Sequence, residues 1–417
     1  MVIYRYFKNS FILAALILVF ILYSNLIHIP QKNRFTCPFT EDSICAVYGQ
    51  LKTSPNRLSN GKYYSSTIKS YYIKNRNNQF SNSHGNIKVF IPSESVEAYF
   101  PGKLFSKSAD SKAAIYETGG IYYLTGKMKN DVFYVENCNS YYFEKSLKGK
   151  ISYIRAMARL EFKRLMYSWK NAGGFLLALL SGAKEYTEQF MSDAFRKSGL
   201  SHILALSGMH LTLFSGISVF FTRNRKKISY LLRFIFVFLF VWFAGISPSL
   251  LRAFICNMLI LLSMISNSDT PDMIAILSFS FIIQTSIAPD DIKQIGFILS
   301  YLALLSILIF NKSLQKFYVR YFPFYIAVSL AASTSAQILT APVSLYYFKA
   351  FYPIGIIATV IISPLVSVFI YCGLSLIVLS LILPFLQMPG GFFMNFLYNI
   401  IRFLVMIFSK IPSISIQ

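Results

Sequence analysis

Gly199-Leu200-Ser201-His202-Ile203-Leu204-Ala205-Leu206-Ser207-Gly208-Met209-His210 sets two of the chain's four histidines and two serines inside an apolar run. An imidazole at bilayer depth costs free energy unless it faces a partner or water. The stretch therefore marks a polar seam, and the apolar runs that follow it read as a bundle assembled around that seam. At roughly 18 residues each, they suit helices crossing about 30 Å of hydrocarbon. The predicted spans are 203–221, 229–245, 250–266, 272–288, 295–310, 324–341, 354–383 and 392–409. The run 354–383 contains Pro364 and is too long for one straight crossing, which predicts a broken or re-entrant pair there.

Composition agrees. Hydrophobic residues make up 55% of the 417 and charged ones only 14%, which argues against a pair of ordinary soluble domains. The formal charge of +23 does not by itself indicate nucleic acid. Such recognition needs cations clustered on one face, and basic residues beside spans set orientation without touching DNA. Five cysteines make no disulfide framework. Cys256 and Cys372 fall in apolar runs, whereas Cys37 and Cys45 could bridge in an exported domain. Cys138 lies in the same polar region. No metal-ligand spacing occurs, and no metal or cofactor is expected.

Arg5 and Lys8 precede an apolar run, 11–29, that has no small-residue cleavage site. Residues 1–29 therefore read as an uncleaved anchor with a cytoplasmic start, and the positive-inside rule then exports residues 30–150. There the pattern changes to short β-type runs, 44–51, 63–73, 87–91, 121–128 and 132–135. Ser59-Asn60-Gly61, Pro101-Gly102 and Lys129-Asn130-Asp131 supply turns between them. Five such strands predict a small barrel of OB type. Along 63–76, Tyr63, Tyr64, Tyr71 and Tyr72 are interleaved with Lys69, Lys74 and Arg76. A stacking platform for a single strand requires that mixture, although tyrosine is also simply a good strand former.

Residues 151–200 open with a helix whose Ile151, Ile154, Ala158, Phe162, Leu165 and Trp169 recur at three- and four-residue spacing. Arg155, Arg159, Lys163 and Arg164 occupy the other arc. Such a helix is predicted to lie in the membrane interface, stripe in lipid and cations toward phosphate. The run 173–183 is too short to span and is expected to re-enter or lie flat. Residues 201–417 form the multi-span domain, in which Arg223, Arg225, Lys226 and Lys227 make the strongest basic loop and mark the cytoplasmic face. The expected fold class is a polytopic α-helical membrane protein with an inserted extracytoplasmic all-β, OB-like domain.

Gly208, Thr212 and Gly216 form a small-xxx-small ridge suited to helix packing. His202, Ser207 and His210 instead need internal partners, water or a transported ion. Ser207 and His210 lie one turn apart and so also raise an intramembrane serine hydrolase as an alternative. A dyad needs an oxyanion site and an orienting group, and no second motif supplies them, so no catalytic residue is assigned. A small-solute or ion transporter with His202 and His210 as proton-linked groups is a third reading, but no two halves with matching broken helices are evident. Arg252 would be expensive at bilayer depth. It attracts phosphate, pairs with an acid such as Asp272, or snorkels to the interface.

Residues 195–210, in which a G-L-S-H block is joined to an S-G-x-H block at fixed distance, closely resemble the signature of the ComEC/Rec2 competence proteins. These are inner-membrane channels that take up single-stranded transforming DNA. Ser249-Leu250-Leu251-Arg252-Ala253, Gly296-Phe297-Ile298-Leu299-Ser300-Tyr301, and Ala336-Gln337 with Thr340-Ala341-Pro342 agree in order. A weaker likeness joins residues 85–92 and Tyr99-Phe100-Pro101-Gly102-Lys103 to the family's OB-like exported domain. The resemblance implies a multi-pass bacterial inner-membrane channel with single-stranded DNA and membrane lipid as contacts. It also implies a DNA receptor outside and a motor or single-strand-binding protein inside. Many members carry a metallo-β-lactamase-like domain, whose H-x-H-x-D-H cluster is missing here. A short form served by a separate nuclease is therefore expected. A polyanion needs cations at its entrance and a wetted path beyond. Lys69, Lys74, Arg155 and Arg159 are expected at the entrance, and His202, Ser207, His210, Arg252 and Gln337 along the path. No Walker G-x-x-x-x-G-K-[ST] run is present to bind ATP.

Overall fold

The computed structural model describes residues 10–23, 35–58, 61–98, 114–183, 187–221, 226–265 and 272–415. Arg5, Lys8, Ser59-Asn60, Tyr99-Phe100-Pro101-Gly102-Lys103, Arg223 and Arg225 lie outside them.

Among the described residues, an apolar helix α1 (Ser10–Tyr23) precedes a sheet of strands β1 (Ile44–Leu51), β2 (Asn56–Arg57), β3 (Tyr63–Asn75), β4 (Phe80–Asn82), β5 (Asn86–Pro92), β6 (Ile121–Lys129) and β7 (Val132–Tyr142). Helix α2 (Ser93–Glu97) follows β5. All five expected strands are present. β1 pairs with β3 and β6, β3 with β5, β7 with β6, and β5 runs parallel to β7. The ring β1-β3-β5-β7-β6 is closed, in the strand order of an OB barrel, and leaves none of these strands as a free edge. β2 and β4 merely extend β3.

The alternation of β3 is the reason the ring closes around a core. Tyr64, Ser66, Ile68 and Ser70 point in, while Tyr63, Ser65, Thr67 and Lys69 point out. Tyr64 and Ile68 pack with Val47, Ile87, Val89, Leu124 and Phe133. The β6–β7 turn has φ of 52° at Asn130 and 59° at Asp131, the left-handed pair that a two-residue hairpin requires and that Asn and Asp tolerate. The extension of β7 through the polar residues 136–140 was not legible in its own pattern. β6 supplies that ladder.

Among the described residues, the helices that follow are α3 (Leu147–Ser168), α4 (Lys170–Ser181), α5 (Gln189–Lys197), α6 (Ser201–Leu204), α7 (Gly208–Phe221), α8 (Lys226–Ala244), α9 (Pro248–Ile265), α10 (Met273–Ile287), α11 (Ile295–Tyr318), α12 (Phe324–Phe348), α13 (Gly355–Ile382) and α14 (Gln387–Ser409). Among the described residues, α9, α11, α12, α13 and residues 384–409 are long and apolar enough to cross a membrane. The apolar stretches Ile228–Ala244 and Met273–Ile287 are shorter. The chain is a multi-pass membrane protein with a β domain.

Three expectations are corrected. The run 203–221 is not one helix, because α6 ends at Leu204 and α7 begins at Gly208. The Ser207 backbone N–H donates to His210 Nδ1 at 3.2 Å, capping the new helix at the break. The run 354–383 is a single helix of 28 residues with Pro364 inside it. Buried packing along Gly355, Ala358, Ile362, Val366, Phe369 and Gly373 holds it together. At about 1.5 Å per residue it is about 42 Å long, so it tilts or projects beyond a bilayer.

The third correction concerns the cations of α3, which face into the protein instead of toward lipid phosphate. Arg159, Lys163 and Arg164 are buried, whereas Ile151 and Ile154 are exposed. Carboxylates and carbonyls on the protein side take the cations, so lipid phosphate is not needed to satisfy them. The short run 173–183, expected to re-enter or lie flat, falls in and just after α4 and is buried. α4 is the buried centre of the bundle, with Phe175 against Phe195, Phe369 and Tyr398.

Candidate functional site

Three of the sequence blocks singled out above, 199–210, 249–253 and 296–301, meet in space. Gly199 has φ +71°, and a Cβ there would lie 2.8 Å from the Gly355 Cα, so the turn before α6 presses backbone to backbone on the start of α13. Gly199→Ala adds both left-handed strain and a clash. It is expected to cost about 1–3 kcal/mol and to lower the yield of monodisperse protein in size-exclusion chromatography. After the break, α7 runs parallel to α13. Ser363 Oγ lies 3.7 Å from Met209 Sδ, and the Tyr371 hydroxyl donates to the Leu213 carbonyl at 3.2 Å.

A Cβ on Gly208 would lie 3.6 Å from the Ala253 Cβ of α9, and one on Gly216 3.3 Å from the Tyr371 hydroxyl of α13. Two members of the small-residue ridge thus serve two different helices. Thr212 is exposed and bonds only back to the Met209 carbonyl. Ser249 Oγ lies 3.0 Å from Ser300 Oγ, which joins the S-L-L-R-A block to the G-F-I-L-S-Y block. The seam is therefore built from α7, α9 and α11.

Arg252 is the unusual group in it. It is 8% exposed, and its guanidinium lies over the Tyr301 ring at 5.8 Å. Its Nε has no hydrogen-bond partner, and among the described residues no carboxylate pairs with it. Asp272, the acid considered as its mate, instead caps α10 through the Ile274 N–H. The neighbouring polar groups satisfy one another. Tyr301 donates to Gln284 Oε1 at 3.0 Å, and Gln284 donates to the Pro248 carbonyl at 3.0 Å and to Asp291 at 3.2 Å. An unpaired buried cation is costly, and this one is available to an anion.

The remaining path residues are placed less uniformly. His210 is fully buried; its Nδ1 accepts from Ser207, and its Nε2 has no partner. His202 is exposed on α6. Gln337 lies on α12 with a buried, unpartnered Oε1. α12 joins α11 through Ser306, which donates to the Ser335 carbonyl, and among the described residues no hydrogen bond brings Gln337 to Arg252.

At the expected entrance, the four cations divide. Lys69 is exposed and lies over Tyr71 at 5.7 Å, and Lys74 lies over Phe80 at 5.2 Å. Arg159, 3% exposed, pairs with Glu117 at 3.2 Å and donates to the Phe243 and Ala244 carbonyls at 2.8 and 3.0 Å. Arg155 donates to Thr118. Burial lowers the Arg155 guanidinium and the Arg159 charge lowers it further, against Glu117. Arg159 is buried and ties the barrel to the C-terminal end of α8, and Arg155 beside it is half-buried.

The outward-pointing barrel face, half-buried at its aromatics, offers more. Tyr63, Phe90 and Tyr134 project from β3, β5 and β7 as one cluster, with ring centroids 5.3–6.3 Å apart, and Lys88 lies over Phe90 at 5.3 Å. Further along β3, Lys69 and Tyr71 lead to Tyr48, Tyr72 and Tyr142. Burial lowers the Lys52 amine, assisted by the Lys69 and Lys148 charges, which marks a basic patch beside them. Phe90 and Tyr134 were not identifiable from sequence, because only the strand register brings them to Tyr63. Cys37, Cys45 and Cys138 are free thiols, and Cys45 bonds to the Lys74 and Asn75 carbonyls.

Residues 179–417 match the Competence protein family, a stretch that contains every block of the seam. The chain belongs to this family. Over 199 residues it is 28% identical to ComE operon protein 3 of Bacillus subtilis (strain 168), covering 46% of this chain and 24% of that relative. The chain thus matches about a quarter of that protein's length. No solved structure matches it. Within the competence-family region fall Gly199, His202, Ser207, His210, Arg252, Tyr301 and Gln337, whereas the barrel and α3 lie before it.

Proposed function

We propose that this competence-family protein is the inner-membrane channel through which single-stranded transforming DNA enters the cytoplasm. The observation that carries the proposal is Arg252, a buried guanidinium with no carboxylate partner among the described residues, at the junction of three sequence blocks. A polyanion passing through the bundle supplies the missing negative charge. The N-terminus and the basic 223–227 loop are cytoplasmic in this reading, and the barrel is outside. Support comes from Arg159, which bonds the end of α8 opposite to that loop while it holds the barrel. Tyr23 likewise bonds the Ile292 carbonyl at the end of α10.

The barrel receives the strand on its β3–β5 face, where aromatics offer stacking and lysines offer charge. Phe90→Ala is expected to weaken binding of a fluorescent oligonucleotide to the whole protein by roughly 5- to 150-fold, one base-stacking contact being worth about 1–3 kcal/mol. Fluorescence anisotropy checks it. The broader test is labelled-DNA uptake: a strain lacking the protein should keep DNA out of the cytoplasm, and normal cytoplasmic uptake there would end the proposal.

Catalysis by Ser207 and His210 is a second reading, favoured by the 3.4 Å approach of Ser207 Oγ to His210 Nδ1. The same nitrogen accepts the Ser207 N–H, which gives the pair a capping role. Labelling by a serine-reactive probe that disappears in Ser207→Ala would favour the hydrolase. Unlabelled protein with unchanged uptake in Ser207→Ala would favour the channel.

A further inference from the structure

Between α3, α8 and α13 lies a cavity of about 930 Å³. One wall is formed by Ile154, Ala158, Phe162 and Leu165 of α3, the stripe whose periodicity marks it for contact with lipid. Phe240 and Phe243 of α8 form a second wall, and Leu374 and Ile377 of α13 a third. The charged side chains lining it, Glu161 and Arg164, are bonded to each other at 2.8 Å, so the chamber carries no net charge. Tyr153, Ile154, Leu239 and Leu381 also line it and are each about half exposed.

A half-exposed apolar rim on a multi-pass membrane protein opens toward hydrocarbon, since water there would leave that surface unsatisfied. Water inside would find few polar partners among such walls. A nucleic-acid strand would bring its phosphates into an apolar, net-neutral chamber, and that is costly. The inward orientation of the cations on α3 is then explained. They hold the barrel and α8, while the apolar stripe of the helix still meets lipid, but inside the protein.

We propose that this cavity is an acyl-chain site, filled by a tail of a phospholipid drawn from the surrounding bilayer. The bound tail props α3 against α8 and α13 below the barrel. The site is independent of the DNA-channel reading and stands whether or not Arg252 meets phosphate.

The test uses the full chain in nanodiscs of phosphatidylethanolamine and phosphatidylglycerol carrying a photoreactive acyl chain, with adducts mapped by peptide mass spectrometry. Adducts are expected at Phe240 and Leu180, which line the cavity and are almost fully buried. They are also expected at the exposed Phe392 and Phe403 of α14, which report ordinary lipid contact. Ala158→Phe, and independently Ile377→Trp from the opposite wall, should abolish the Phe240 and Leu180 adducts while those on α14 persist, which also shows that the bundle is intact. Adducts confined to α14 in the unaltered protein would overturn the proposal, as would cavity adducts undiminished in both filled variants. Labelling of the same buried residues by a photoreactive oligonucleotide, without lipid adducts, would assign the chamber to nucleic acid.

Discussion

Replacing Arg252 by leucine is expected to cut cytoplasmic uptake of single-stranded DNA by roughly 10- to 100-fold, one lost charge-assisted contact being worth about 1.5–3 kcal/mol. The amount of protein in the membrane should not fall. Arg252 has no carboxylate among the described residues and an unpartnered Nε, so the fold loses no ion pair when it goes. Removing an uncompensated buried charge relieves the fold of its desolvation cost. Arg252→Lys should be intermediate, because it keeps the charge without the planar fork that grips phosphate. Fluorescent DNA counted inside cells, normalised to membrane protein by blotting, checks both. Uptake that fell only in proportion to protein level would make Arg252 a structural residue.

Glu117→Gln should give the largest loss of stability. Glu117 and Arg159 are both buried and paired at 3.2 Å, and Ser54 also donates to Glu117. Breaking a buried pair by neutralising one partner costs about 3–5 kcal/mol. Because Arg159 also holds the Phe243 and Ala244 carbonyls, the loss should loosen the barrel from the bundle. Thermal unfolding in detergent, followed by tryptophan fluorescence, measures it. Burial pushes the Glu117 carboxyl up, but Arg159, Lys163 and Ser54 together outweigh it and hold it at about 2, below its ordinary 4.5. The folded protein thus binds fewer protons than the unfolded one between these values. The pair's stabilisation is complete above about pH 4.5 and is lost as pH falls toward 2. Glu117→Gln should flatten that part of the stability curve.

Much of this architecture is written locally. Strands 44–51, 63–73, 87–91, 121–128 and 132–135 could be read because period-two alternation needs only neighbours, and the closed ring then followed from their pairing. The break at Ala205–Ser207 could not, because apolar residues on both sides conceal a turn that depends on a side chain three residues ahead. Pro364 misled in the opposite direction: tertiary packing of α13 overrides the expected interruption. The clearest reversal is α3. Its periodicity was right, but Arg159 faces inward because Glu117, over forty residues earlier, waits there. Amphipathicity says which side is charged and cannot say where a counter-charge lies. For the site, blocks 199–210, 249–253 and 296–301 were legible as pieces. Their convergence, and the roles of Tyr301 and Gln284, required the packed helices.

The most direct test of a DNA route along the Arg252 seam is cross-linking during uptake. One variant would carry a photoreactive amino acid at Ser300, bonded to Ser249 in the seam. A control would carry it at Phe396, exposed on α14. With labelled DNA halted in transit by a bulky end-block, illumination should join the strand to position 300 and not to position 396. A strand that crosses while joining neither position, or only position 396, would contradict the route.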